Sequence, residues 1–230
     1  MRIIADNRIP PFAKQKLTEF GEVLYLETHG ISYPAISSHP DIFMAQTEKG
    51  LIIAPNLPVE MKNILQKNKI HFEEGNSKVG SAYPQTAAYN AVITNEFIIH
   101  NLKITDSILL SRNEKLEKIH VNQAYTRCNM LALKENHFIT SDRGIEKVLK
   151  KRGLPVLYIN PEKIILPGMK NGFFGGCCGI SGNTIFIIGN LDFIEEGKIA
   201  RKLIADLGYG LIELYDGPLF DGGGLIFLSS

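Results

Sequence analysis

Two histidine tripeptides and one pair of adjacent cysteines carry most of the chemistry this chain could do. His39-Pro40-Asp41 sets an imidazole two residues from a carboxylate, and His120-Val121-Asn122 keeps the spacing with an amide in place of the acid. An imidazole titrates near neutral pH, and a neighbouring carboxylate orients it, so such a pair suits general acid–base work. Cys177 and Cys178 are candidate thiol nucleophiles. Each feature also has a plain structural explanation, because short motifs recur by chance. His39 and Asp41 would make a polar turn capping a strand, His120 a strand-end hydrogen bond, and the cysteines small side chains in a crowded strand. Cys128, at the start of an apolar run, reads as core.

Carboxylates form a second group. Glu27, Glu74, Asp216 and Asp221 fall in loops that follow apolar runs. Converging from several elements, they would suit a cationic small ligand; taken singly, each is an ordinary solvated charge. With no Cys-x-x-Cys and no histidine beside the vicinal cysteines, neither a metal site nor a cofactor is expected. Gly175-Gly176 and Gly222 to Gly224 read as structural, since no Gly-x-Gly-x-x-Gly opens a helix.

The elements that must position these residues recur. Ile3-Ile4-Ala5-Asp6-Asn7, Ile52-Ile53-Ala54-Pro55-Asn56, Ile98-Ile99-His100-Asn101, Ile139-Thr140-Ser141-Asp142 and Ile187-Ile188-Gly189-Asn190 stand roughly 41 to 49 residues apart. A unit recurring at that period usually buries its apolar face against its copies. Four copies are preceded by an apolar run and a polar turn, the signature of a hairpin. The first copy lacks that run, and Gly224 to Leu228 supplies it from the other end of the sequence. Helical patterns follow at Pro11 to Phe20, Pro58 to Asn68, Gly144 to Arg152 and Ile194 to Leu207, with only a short turn at Thr105 to Arg112. Apolar runs such as Val23 to Leu26 and Lys118 to Val121 then close each unit. The pattern predicts a five-fold pseudo-symmetric α/β propeller of strand–strand–helix–strand units, closed by its terminal strands, with residues 1–230 as one domain.

The 230 residues carry a net charge of +1 and 44% hydrophobic residues. That balance supplies a core and makes no case for DNA or an anionic membrane as partner. No apolar stretch approaches the ~20 residues of a membrane span. Three cysteines do not make a disulfide framework, and a cytoplasmic setting fits them.

A closed ring of five such units resembles the pentein superfamily, the guanidino-group-modifying enzyme fold. In its catalytic members, the resemblance implies, carboxylates at the pseudo-fivefold axis hold a guanidinium while a His-x-Asp pair serves as acid–base and a late cysteine attacks carbon. In members similar to agmatine deiminase, that cysteine ends a Gly-Gly-Gly-x-His-Cys run. The matching stretch here is Gly222-Gly223-Gly224-Leu225-Ile226-Phe227, with phenylalanine at the nucleophile's place. The resemblance therefore implies a pentein without the usual covalent chemistry, binding a small cationic or guanidino-type ligand on the axis. One alternative is a deiminase- or amidinotransferase-like enzyme using His39 or His120 with Cys177 or Cys178. Another is an interaction protein like the superfamily's ribosome-associated relative, which the balanced charges do not support.

Overall fold

The computed structural model describes residues 1–228. Along the chain run β1 (Arg2–Asp6), α1 (Pro11–Leu17) and β2 (Glu22–Leu26), then α2 (Pro40–Phe43), β3 (Met44–Thr47), β4 (Gly50–Ile53), α3 (Val59–Lys67) and β5 (Phe72–Glu74). There follow β6 (Val92–Ile93), β7 (Phe97–His100), α4 (Ser107–Arg112) and β8 (Glu117–His120), then α5 (Thr126–Asn129), β9 (Met130–Ala132), β10 (Phe138–Thr140), α6 (Arg143–Lys151) and β11 (Val156–Tyr158). The last stretch holds β12 (Cys178–Ser181), β13 (Thr184–Ile187), α7 (Gly197–Asp206), β14 (Gly210–Glu213) and β15 (Ile226–Leu228).

Among the described residues these strands make five three-stranded sheets, and each sheet has the same internal order. A central strand pairs antiparallel with one neighbour through a hairpin and parallel with the other through a crossover helix, as β4 does with β3 and β5. In the first sheet the hairpin partner of β1 is β15, with Arg2 opposite Leu228 and Ile3 opposite Phe227. The terminal strands therefore pair antiparallel, as the missing partner of the first unit requires.

Central strands are buried on both faces, which explains their continuous apolar runs. Ile3 packs with Leu17, Phe186 and Phe227, whereas its neighbour Ile4 packs with Leu24, Phe43 and Ile226. Ile98 and Ile99, Phe138 and Ile139, and Ile185 and Phe186 divide between clusters in the same way. Burying one such side chain contributes about 1.5–3 kcal/mol.

The structure departs from the sequence pattern among the antiparallel partners of the central strands, β3, β6, β9, β12 and β15, the inner strands of their units. Ile42 does not begin a strand. The pattern predicts a strand there, but Pro40 sets the first position of a single helical turn, and the strand starts at Met44. Cys128 likewise lies in the helical turn α5, and Cys177 in a 3-10 turn ahead of β12. Each turn immediately precedes the first strand of its hairpin.

Candidate functional site

The three helical turns, together with Asn90 ahead of β6 and Gly222 to Gly224 ahead of β15, converge. Asn90 Nδ2 donates to the Asp41 carbonyl at 3.2 Å, and its Oδ1 accepts from the Cys128 backbone N–H at 3.0 Å. The Gly224 N–H donates to the Gly176 carbonyl at 2.7 Å. Arg127 ties the fourth unit to the fifth by donating to the carbonyls of Gly175 at 2.6 Å and Cys178 at 2.9 Å. Space here suits only glycine at several positions, among them Gly175, Gly176 and Gly223. A Cβ on Gly176 would lie 1.9 Å from Asp221 Oδ1, and one on Gly223 2.3 Å from the His39 Cβ.

His39 stands at the centre, 1% exposed. Its Nε2 faces Asp6 Oδ2 and its Nδ1 faces Asp221 Oδ1, both at 3.9 Å, too long for hydrogen bonds. Its Nδ1 is buried without a partner. Burial holds the imidazole below its ordinary pKa, opposed by the Asp221 and Asp6 charges. Asp221 accepts from the backbone N–H groups of Gly223 at 3.0 Å and Phe173 at 2.8 Å. Burial raises its pKa, and His39 opposes that rise. Asp6 is already engaged: Arg8 Nη2 and Nε reach it at 2.6 and 3.0 Å.

Asp41 is the third buried carboxylate of the site, and burial pushes its pKa up to about 6. The Cys128 thiol donates to Asp41 Oδ2 at 2.8 Å, while Oδ1 has no partner. A ring nitrogen of His39, a carboxylate oxygen of Asp41 and Cys128 Sγ all lie within 4.8 Å of one another. Burial raises the Cys128 thiol well above its usual pKa, reinforced by Asp41.

Cavities approach this cluster from two sides. One of about 280 Å³ runs beside the inner strands from Asp41 and Arg127 to Thr47, Glu48 and Asn95. The other, of about 40 Å³, touches His39, Asp6, Arg8 and Asp221 and has room for little more than a water molecule.

The candidates from sequence separate accordingly. His39, Asp41 and Asp221 come together. His120 lies exposed at the end of β8, accepting from the Leu102 N–H at 3.1 Å, and the Asn122 carbonyl accepts from Asn101. Glu27 faces His29, Glu74 pairs with Lys62 and Asp216 accepts from Asn190, all three exposed acids outside the cluster. Glu27, Glu74 and Asp216 lie at the ends of, or just beyond, the parallel strands β2, β5 and β14, at the opposite side of each sheet from the hairpin strands that Asp41 and Cys128 precede. Cys177 and Cys178 donate to the carbonyls of Phe173 and Phe174 inside an apolar cluster. Burial raises both, Cys178 to about 12. The thiol beside His39 and Asp41 is instead Cys128. Phe227 stacks on Phe186 at 4.6 Å between ring centres, in the core shared with β1. Sequence reasoning missed Cys128, Asn90 and Asp6. Aligning the units would have shown Cys128 and Asn90 ahead of their inner strands, as Asp41 is ahead of β3.

Solved structures share this architecture. DDAH from Pseudomonas aeruginosa complexed with citrulline matches with a TM-score of 0.53 and 11% identity, over 92% of this chain and 91% of that one. Agmatine deiminase from C. jejuni with substrate bound matches with a TM-score of 0.56 and 10% identity, over 95% and 90%. An amidinotransferase from Microseira wollei gives 0.52 and 11%, over 92% and 87%. The chain therefore has the pentein, guanidino-group-modifying enzyme fold. Residues 4–226 match the family of unknown function DUF6873, and the chain belongs to that family. No curated protein matches the sequence. Among the described residues no helix is long and apolar enough to cross a membrane.

Proposed function

We propose that this chain is a single pentein domain whose five sheets close into a ring, and that it binds a small guanidino-type cation in the central cavity. Closure is supported by the β1–β15 pairing and by central strands that share apolar clusters with the next sheet. The observation that carries the binding reading is Asp41, a buried carboxylate with an unpartnered oxygen at the inner end of the 280 Å³ cavity. A guanidinium or amidinium offers the N–H donors that oxygen lacks. Glu48 adds a second acid to the cavity lining, and the nearby Arg127 already donates to carbonyls. The Asp6 side is less suitable, since Arg8 presents its own guanidinium there. Three free buried thiols suit a reducing compartment.

Titration calorimetry with agmatine, arginine and guanidinium tests the reading. Binding by the wild type should weaken about 10–100-fold in Asp41→Asn, the loss of one charge-assisted hydrogen bond. Absence of binding by all three compounds removes the proposal. No ammonia or citrulline should form: the Gly222 to Phe227 register of the resemblance puts Phe227 at the nucleophile's place, and its burial in the core supports that reading.

A thiol enzyme is the second reading, favoured by the Cys128–Asp41 hydrogen bond beside His39. There the Cys128 sulfur would attack the guanidinium carbon while His39 handles the leaving amine's proton. Stoichiometric labelling of Cys128 by 2-chloroacetamidine, lost in His39→Asn, would establish it over simple binding.

A further inference from the structure

We propose that His39, Asp41 and Cys128 form a binding site for one divalent transition-metal ion, zinc by its donor chemistry. The three residues come from two units, and each is at most 3% exposed. Their nitrogen, oxygen and sulfur donors already lie within 4.8 Å of one another. Bonds of about 2.0–2.3 Å in a tetrahedral site separate ligand atoms by about 3.3–3.8 Å, so a contraction of about 1 Å closes the set. Mixed nitrogen, sulfur and carboxylate ligation is characteristic of zinc and leaves calcium and magnesium, which take oxygen, disfavoured.

A second observation points to a missing cation. His39 Nδ1 and Asp41 Oδ1 are both buried with no hydrogen-bond partner. Buried polar atoms are otherwise paired in folded proteins, and orphans are costly. Two of the three members of the set thus carry an unsatisfied donor atom that a metal would satisfy. Carboxylates also flank both imidazole nitrogens, so whichever nitrogen binds the metal, the other has Asp6 or Asp221 to receive its proton.

Charge closes as well. Zinc displaces the Cys128 thiol proton to solvent, and the resulting thiolate and the Asp41 carboxylate balance the ion's two positive charges. The cavity beside Asp41 and the smaller one beside His39 give the ion its approach. The ion and a guanidino ligand would compete for the same Asp41 carboxylate, and calorimetry on the metal-free chain and the cobalt titration test the two readings separately.

Cobalt(II) titration of the EDTA-treated full chain tests the site. A thiolate-to-cobalt charge-transfer band should saturate at one equivalent per chain and vanish when zinc is added. It should persist in the double variant Cys177→Ser/Cys178→Ser and be lost in Cys128→Ser. His39→Asn should weaken binding beyond the ~10–100-fold typical of losing an outer partner. X-ray absorption of the zinc-loaded wild type should show one sulfur at about 2.3 Å with lighter ligands, a readout that needs no variant to fold. A wild type without the band, a zinc shell without sulfur, or a band that survives Cys128→Ser overturns the proposal.

Discussion

Asp41 has the most to lose from the surroundings that make it useful. Its pKa is pushed up to about 6 by burial, against 3.8 for an ordinary aspartate. A raised carboxylate favours the folded state most fully below its unfolded pKa, and that contribution is lost as pH rises through its folded pKa. Stability from this residue therefore falls between about pH 4 and pH 6, by about 3 kcal/mol in all. Metal-free Asp41→Asn should accordingly be more stable than the wild type at pH 8 and gain nothing at pH 4. Urea unfolding of both proteins at the two pH values reads the difference directly; equal differences would show that the carboxylate is not held above its usual range. His39, with its pKa lowered by burial, opposes this trend by favouring the folded state above its unfolded pKa. Only the difference between variant and wild type isolates Asp41.

At the level of elements, the site exists because single helical turns precede the inner strands. Pro40 opens the turn that carries His39 and Asp41, and Thr126 to Asn129 form the turn that carries Cys128. The turns can meet only because Gly175, Gly176 and Gly223 bring backbone where side chains would collide. Gly176→Ala would drive its methyl into Asp221, so it should cost about 2 kcal/mol or more and displace the carboxylate facing His39. Gly182 sits in a hairpin turn with open space around its missing Cβ and a φ of 55°. Gly182→Ala should cost only the left-handed penalty of about 1–2 kcal/mol and leave the site unchanged. Denaturant midpoints, with the cobalt band as a local readout, compare the two. A Gly176→Ala protein as stable as Gly182→Ala would mean that the centre is looser than its contacts indicate.

At the scale of the whole molecule, β15 completes the first sheet and covers β1 along its antiparallel edge. Phe227 packs against Phe186 from the neighbouring sheet, and Gln46 Nε2 donates to the Phe227 carbonyl at 2.7 Å. Deleting residues 223–230 would bare β1 and remove these contacts, leaving an apolar edge prone to association. The truncated chain should be recovered insoluble or unfolded by circular dichroism. A soluble product with unchanged thermal stability would show that closure through β15 is dispensable.

The first unit's missing partner pointed to β15, but where the hairpin strands begin, as at Met44 and Met130, was not legible in the sequence. The repeating apolar phrases sufficed to place the central strands and the helices that follow them, because strand periodicity and turn chemistry are local. His39-Pro40-Asp41 was legible for the same reason, being contained in three consecutive residues. Its partners were not: Cys128 bonds to Asp41 across 87 positions, and His120 has the motif's spacing yet ends at the surface. Strand order and the helical turns decide which residues reach the centre, and burial there sets their ionisation. An isolated tripeptide carries neither its depth nor its neighbours, so assembly of the site was decided only by the tertiary structure.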